Sequence, residues 1–170
     1  MKKLIAVVSL LVVMTSMSMA KDRSWFKLSL WDEIAVPNVE TVKGFELGLI
    51  YSNTPTLTGL QWNLIYNRTE DFSGLQMALV NNVESTGTGV QLGAVNLASD
   101  FTGLSWGWIN SADDFNGVNI GLVNYAKNYK GLQLGIVNYV EHMEKGLQIG
   151  LVNIITDSKL PVMIIANARF

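Results

Sequence analysis

Gly131-Leu-Gln-Leu-Gly-Ile-Val-Asn138 and Gly146-Leu-Gln-Ile-Gly-Leu-Val-Asn153 are nearly the same octet, written twice fifteen residues apart. Working outward from them, Gly44, Gly59, Gly74, Gly89, Gly103 and Gly117 open six further copies. The eight glycines are spaced by 15, 15, 15, 14, 14, 14 and 15 residues. A fixed period of this length marks a repeat architecture, in which each unit is completed by its neighbours.

Positions 2, 4 and 6 of the unit are apolar in all eight copies, as in Leu75, Met77 and Leu79. Positions 1, 3 and 5 are mostly Gly, Gln and Gly, and position 7 is always Val or Ile. Alternation with period two, followed by a β-branched residue, predicts a strand with one apolar face. Position 8 is Asn in six copies, including Asn96, Asn124 and Asn138, and Asn suits a turn. The remaining residues are polar with a late aromatic, as in Ala112-Asp-Asp-Phe115 and Ala126-Lys-Asn-Tyr129. The unit therefore reads as strand, turn, short strand, turn.

Two all-β architectures fit this pattern, and the β-solenoid with one unit per coil is favoured. Positions 2, 4 and 6 are then expected to stack as ladders inside, with Trp62, Trp106 and Trp108 as core fillers. Phe72, Phe101, Phe115 and Tyr129 would close the core from the opposite side. A Gln-Gly-Val stripe would face outward, and Leu134→Asp would place a charge in the core. The alternative is an up-and-down β-barrel of the outer membrane with one strand per unit. Its lipid-facing band should be about 25 Å tall, whereas positions 2 to 6 span four rises of about 3.3 Å, roughly 13 Å. The connections also hardly vary, where such barrels alternate short turns with long loops.

The ends define the organisation. Residues 1–20 read as a secretory signal peptide: Lys2 and Lys3, an apolar Leu4–Val13, and Ser18-Met19-Ala20 as a small-x-small cleavage site. The apolar stretch is shorter than the roughly 20 residues of a spanning helix. Residues 21–43 form an N-terminal cap region, 44–159 the eight repeats, and 160–170 a degenerate C-terminal capping repeat. The mature chain is expected to begin at Lys21. With no Cys in the sequence, neither a disulfide nor a lipid-modified cysteine anchor is available. Removing Lys2 and Lys3 from 12 basic residues against 14 acidic ones leaves a net charge of −4. No basic stripe points to nucleic acid.

The unit series resembles the bacterial surface-repeat proteins of spirochaetes and fusobacteria, which carry a signal peptide and tandem Gly-Leu-Gln-x-Gly-Leu-Val-Asn units. The likeness runs from Lys27-Leu-Ser-Leu-Trp31 through the units to Leu160-Pro-Val-Met-Ile-Ile-Ala-Asn-Ala-Arg-Phe170. It implies a cell-envelope or cell-surface location, with outer-membrane association, and brings no catalytic residue. Tyr51 and Tyr66 depart from it, standing where Asn is usual, which suggests a capping role for that end.

Little in the chain points to catalysis. His142 is the only histidine and lies among Glu141, Met143 and Glu144 in a polar tail, where a solvated turn residue is the simpler reading. No Gly-x-Ser-x-Gly elbow and no Gly-Lys-Ser or Gly-Lys-Thr phosphate loop occurs. In a solenoid, Asp100, Asp114, Asn128, His142 and Asp157 would form a column with a spacing of about 4.8 Å. Ca²⁺ between such oxygens is conceivable, but a soluble polar corner is the simpler reading. The sequence therefore predicts no catalytic, cofactor or metal residue. It predicts a non-catalytic exported repeat protein presenting a repetitive β face to an envelope partner.

Overall fold

A computed structural model describes residues 22–31 and 34–170, so the leader expected over residues 1–20 lies outside the described residues. These contain eleven strands and no helix: β1 (Arg23–Trp31), β2 (Ile34–Val36), β3 (Thr41–Asn53), β4 (Thr56–Asn63), β5 (Tyr66–Met77), β6 (Val80–Leu92), β7 (Val95–Trp106), β8 (Ile109–Ile120), β9 (Val123–Leu134), β10 (Val137–Ile155) and β11 (Val162–Arg169). They form one sheet in the order β11-β10-β9-β8-β7-β6-β5-β4-β3-β1-β2.

From β3 to β10 every neighbouring pair is parallel and pairs repeat on repeat, with Gly103 opposite Gly117 and Gly117 opposite Gly131. The chain therefore returns to the same place one strand further on after each unit. The fold is a β-solenoid of about eight coils. An up-and-down barrel needs antiparallel neighbours, so the barrel alternative falls with this pairing.

Each coil bends at three places. One is the Gly-x pair at positions 5 and 6, such as Gly121-Leu122 and Gly135-Ile136, where the strand is interrupted in all but the first and last units. Within β9 the inward–outward alternation also slips at Lys127-Asn128 and again around Gly131. Gly131 has φ +133°, and the position-1 glycines before it from Gly44 onward share this left-handed backbone. The turn expected at Asn is thus displaced upstream to positions 5 and 6.

The interior differs from expectation. The aromatic side is as expected: Phe72, Phe101, Phe115 and Tyr129 are buried, and Phe115 and Tyr129 stack with centroids 5.6 Å apart. Val83, Ala112, Ala126 and Val140 complete this apolar half. The other half is polar. Gln61, Gln76, Gln91, Gln133 and Gln148 at position 3, and Asn96, Asn110, Asn124, Asn138 and Asn153 at position 8, are buried. Positions 2, 4 and 6 point outward, so the expected inner ladders are reversed, and of the expected outer Gln-Gly-Val stripe only the Val column lies outside. Trp62, Trp106 and Trp108 lie on the surface, and Trp108 is 67% exposed.

Amide ladders explain why this inversion is stable. Asn110 Nδ2 donates to Asn124 Oδ1 at 2.8 Å and to the Ile120 carbonyl at 2.9 Å. Asn124 repeats the pattern on Asn138 and Leu134, and Asn138 on Asn153 and Ile149. Along the Asn column each amide satisfies the next. The position-3 row does so from Gln61 to Gln91 but is broken at Ser105 and Asn119, where the Asn119 amide and Gln133 Nε2 have no partner among the described residues. The first units join the column one residue late: Asn67 pairs with Asn81, and Tyr51 and Tyr66 occupy the Val column. The Asn missing from position 8 of the second unit is therefore present as Asn67.

The two ends are closed by antiparallel strands. β2 pairs with the outer side of β1, and β11 reverses onto β10, with Leu147 opposite Ala168 and Ile149 opposite Ala166. Residues 162–169 thus cover the last coil without adding a further parallel one.

Candidate interaction face

The apolar positions form a continuous surface along the repeats. Met77, Leu92, Trp106, Ile120, Leu134 and Ile149 follow one another in register as the position-4 column. The position-2 column runs parallel to it through Leu75, Val90, Leu104, Val118, Leu132 and Leu147. Position 6 lies on the shoulder where the coil bends, and Leu64, Leu79, Trp108, Leu122, Ile136 and Leu151 are all exposed there. Just past the shoulder, Val80, Val95, Ile109, Val123 and Val137 make a fourth column. No charged residue occupies positions 2, 4, 6 or 7 in any copy.

Local sequence holds this face outward. An added Cβ on Gly135 would lie 2.6 Å from Asn124 Nδ2, so position 5 points inward against the amide ladder and only glycine leaves room for it. With positions 3 and 5 committed to the interior, strand alternation sends 2, 4 and 6 to the outside. The polar core and the apolar surface are therefore consequences of the same Gly-x-Gln-x-Gly spacing.

The opposite wall is polar. Asp71, Thr86, Asp100, Asp114, Asn128 and His142 stand in register, as the column read from the sequence requires. Asp100, Asp114, Asn128, Lys130, His142 and Glu144 border an open cleft of about 300 Å³. Asp157 joins His142 through Nδ1 to Oδ2 at 2.5 Å and also receives Arg169, tying β11 to the last coil. Burial raises the Asp157 carboxyl, but hydrogen bonds from Arg169 and the Met143 N–H outweigh it and leave it below the usual range. Nearer the first coils, the Arg68 guanidinium holds Glu84 below the usual carboxylate range. A hydrogen bond to Glu141 pushes the Tyr125 hydroxyl up to about 12. Among the described residues, no three His, Asp or Glu side chains are placed to hold a metal ion.

One buried charged pair was not legible beforehand. Glu46 takes the place of Gln in the first unit and is fully buried beside buried Lys27 on β1, with Nζ to Oε1 at 3.7 Å. Ser52 and Thr54 donate to Glu46, and Gln61 Nε2 reaches its Oε2 at 3.1 Å. Lys27 Nζ donates to the Asn53 carbonyl at 2.9 Å and to Thr54 Oγ1 at 2.8 Å. The Gln ladder therefore ends on a carboxylate neutralised by the cap strand. A charged residue at a Gln position of the repeat was the available signal.

No known protein family matches the chain, and neither a curated protein nor a solved structure is significantly similar to it.

Proposed function

We propose that this protein is a non-catalytic, exported repeat protein of the cell envelope or surface, and that the apolar outer face is its working surface. The carrying observation is the face itself: four apolar columns, free of charge, continued through the repeats. Soluble monomers rarely expose apolar patches beyond about 300–600 Å², and repeat proteins use extended faces of this kind to bind. The Gly-Leu-Gln-x-Gly-Leu-Val-Asn unit, similar to that of bacterial surface-repeat proteins, supports the envelope location, as does the leader read over residues 1–20. The polar wall keeps the other side in water. Its acids, His142 and the buried Lys27–Glu46 pair act in this reading as structural and solvating groups.

Cell fractionation tests the proposal. Expressed in a bacterium that exports it, the chain should be recovered with the envelope and released by carbonate or urea. Leu122→Lys combined with Ile136→Lys should move it to the soluble fraction with its β circular dichroism unchanged. Retention of this variant on the envelope would show that another surface does the binding.

A further inference from the structure

The relief of the apolar face identifies what covers it. The fourth unit, Gly89-Val-Gln-Leu-Gly-Ala-Val-Asn96, carries the smallest outward side chains of the series, with Ala94 at position 6. The fifth, Gly103-Leu-Ser-Trp-Gly-Trp-Ile-Asn110, carries the largest, Trp106 at 59% and Trp108 at 67% exposure. A depression and a ridge thus lie side by side, and the midpoint of the eight coils falls between them.

We propose that this face docks on the same face of a second copy, the two solenoids running antiparallel about a two-fold axis between the fourth and fifth coils. The inference rests on the reading of this face as the working surface and names its occupant. Such an axis sets the fifth coil of one copy on the fourth coil of the other while keeping each column opposite itself. Trp108 then lies over Ala94 of the second copy and Trp106 over its Leu92, twice by symmetry. Isologous contacts require this kind of self-complementarity, and paired tryptophans at the centre of an interface are its usual anchors. The remaining coils match in size: the third faces the sixth, Leu79 on Leu122, and the second faces the seventh, Leu64 on Ile136.

The area suffices. Seven coil spacings of about 4.8 Å by roughly 10 Å from position 2 to the position-6 shoulder, with side-chain breadth added, give roughly 500 Å² per copy, which reaches the ~1,000 Å² total of a specific interface. A lipid surface is less well suited. Membrane-lying faces are bordered by rows of Lys and Arg, whereas the border alongside the Val column holds a single cation, Arg68, in register with Asn82, Leu97, Ser111, Tyr125 and Tyr139, and the border before the glycines holds Lys43, Lys130 and Lys145 among Thr, Ser and Asn.

Sedimentation equilibrium of the purified full chain over a concentration series tests this. The wild type should be a dimer. Ala94→Trp should weaken association about tenfold or more by setting Trp against Trp, and Trp108→Ala should weaken it by removing the anchor. The double variant Ala94→Trp/Trp108→Ala exchanges ridge and depression and should restore most of the affinity. Should Ala94→Trp fail to fold by circular dichroism, Leu79→Glu and Leu122→Lys replace it: each weakens association and the pair together recovers it. A monomeric wild type, or double variants whose losses simply add, overturns the proposal. So does face-dependent flotation of a monomer with phosphatidylcholine–phosphatidylglycerol vesicles, which would assign the face to lipid. If the chain is monomeric yet Leu122→Lys/Ile136→Lys still leaves the envelope, only the second copy falls. If that variant stays on the envelope, the reading of the face falls as well.

Discussion

Gly117 has φ +142°, and a Cβ placed on it would overlap the Gly103 carbonyl of the preceding coil. Both the backbone conformation and the close approach therefore demand glycine. Gly117→Ala is expected to cost roughly 2–4 kcal/mol, read as a melting temperature lower by roughly 5–10 °C. Leu134 and Asn124 show the reverse of what hydrophobicity alone suggests. Leu134 stands half-buried in the outer column, so at protein concentrations below any self-association Leu134→Asp should cost about 1 kcal/mol, and not the several kcal/mol of a core position. Asn124→Ala removes the donor to Asn138 and to the Leu134 carbonyl and should cost about 2–3 kcal/mol, because its buried partners are left unmatched. Urea unfolding of the two variants ranks them; a larger loss for Leu134→Asp would restore the apolar interior.

At the scale of elements, β1 matters because it supplies Lys27 to Glu46 across the first coil. Parallel pairing of β1 with β3 puts Lys27 directly opposite Glu46. Glu46→Gln makes the first unit resemble the others in sequence, yet it removes the carboxylate facing a buried ammonium. The expected cost is about 3 kcal/mol, while Lys27→Met together with Glu46→Gln should cost much less, since replacing both members of a buried pair is mild. A double-mutant cycle by urea denaturation measures the difference. Gly87 illustrates the same dependence on stacking. It stands in the aromatic column between Phe72 and Phe101, and a Cβ there would overlap the Phe101 ring.

For the whole molecule, translational repetition means that coils contact only their neighbours. Deleting residues 103–116 joins Thr102 to Gly117 in phase. Asn96 then meets Asn124, and Phe101 meets Tyr129, so both interior columns close over the gap. The shortened chain should unfold cooperatively by circular dichroism at a somewhat lower temperature. Deleting seven residues instead should abolish the transition, because it sets Gly positions against side chains. A one-coil deletion that fails to fold would mean that the coils are not interchangeable.

The period, the all-β class and the coil length were legible in the sequence, because parallel in-register stacking requires the same residue type at each return of the chain. The aromatic column and the Asp100–His142 column followed from that spacing alone. Which side of the strand lies inside did not. Alternation tells two faces apart, and the ordinary rule assigns the apolar one to the core. Here the Asn column is buried because identical amides above and below satisfy it, and Gln61, Gln76 and Gln91 likewise bond along position 3, although that row breaks at Ser105 and Asn119. These partners exist only once the coils are stacked. The Lys27–Glu46 pair likewise depends on strand order, since nineteen residues of chain separate partners that the sheet sets side by side. Tertiary structure alone decided that the polar ladder is the interior and the apolar stripe the surface, because only stacking supplies the buried Asn amides with their partners.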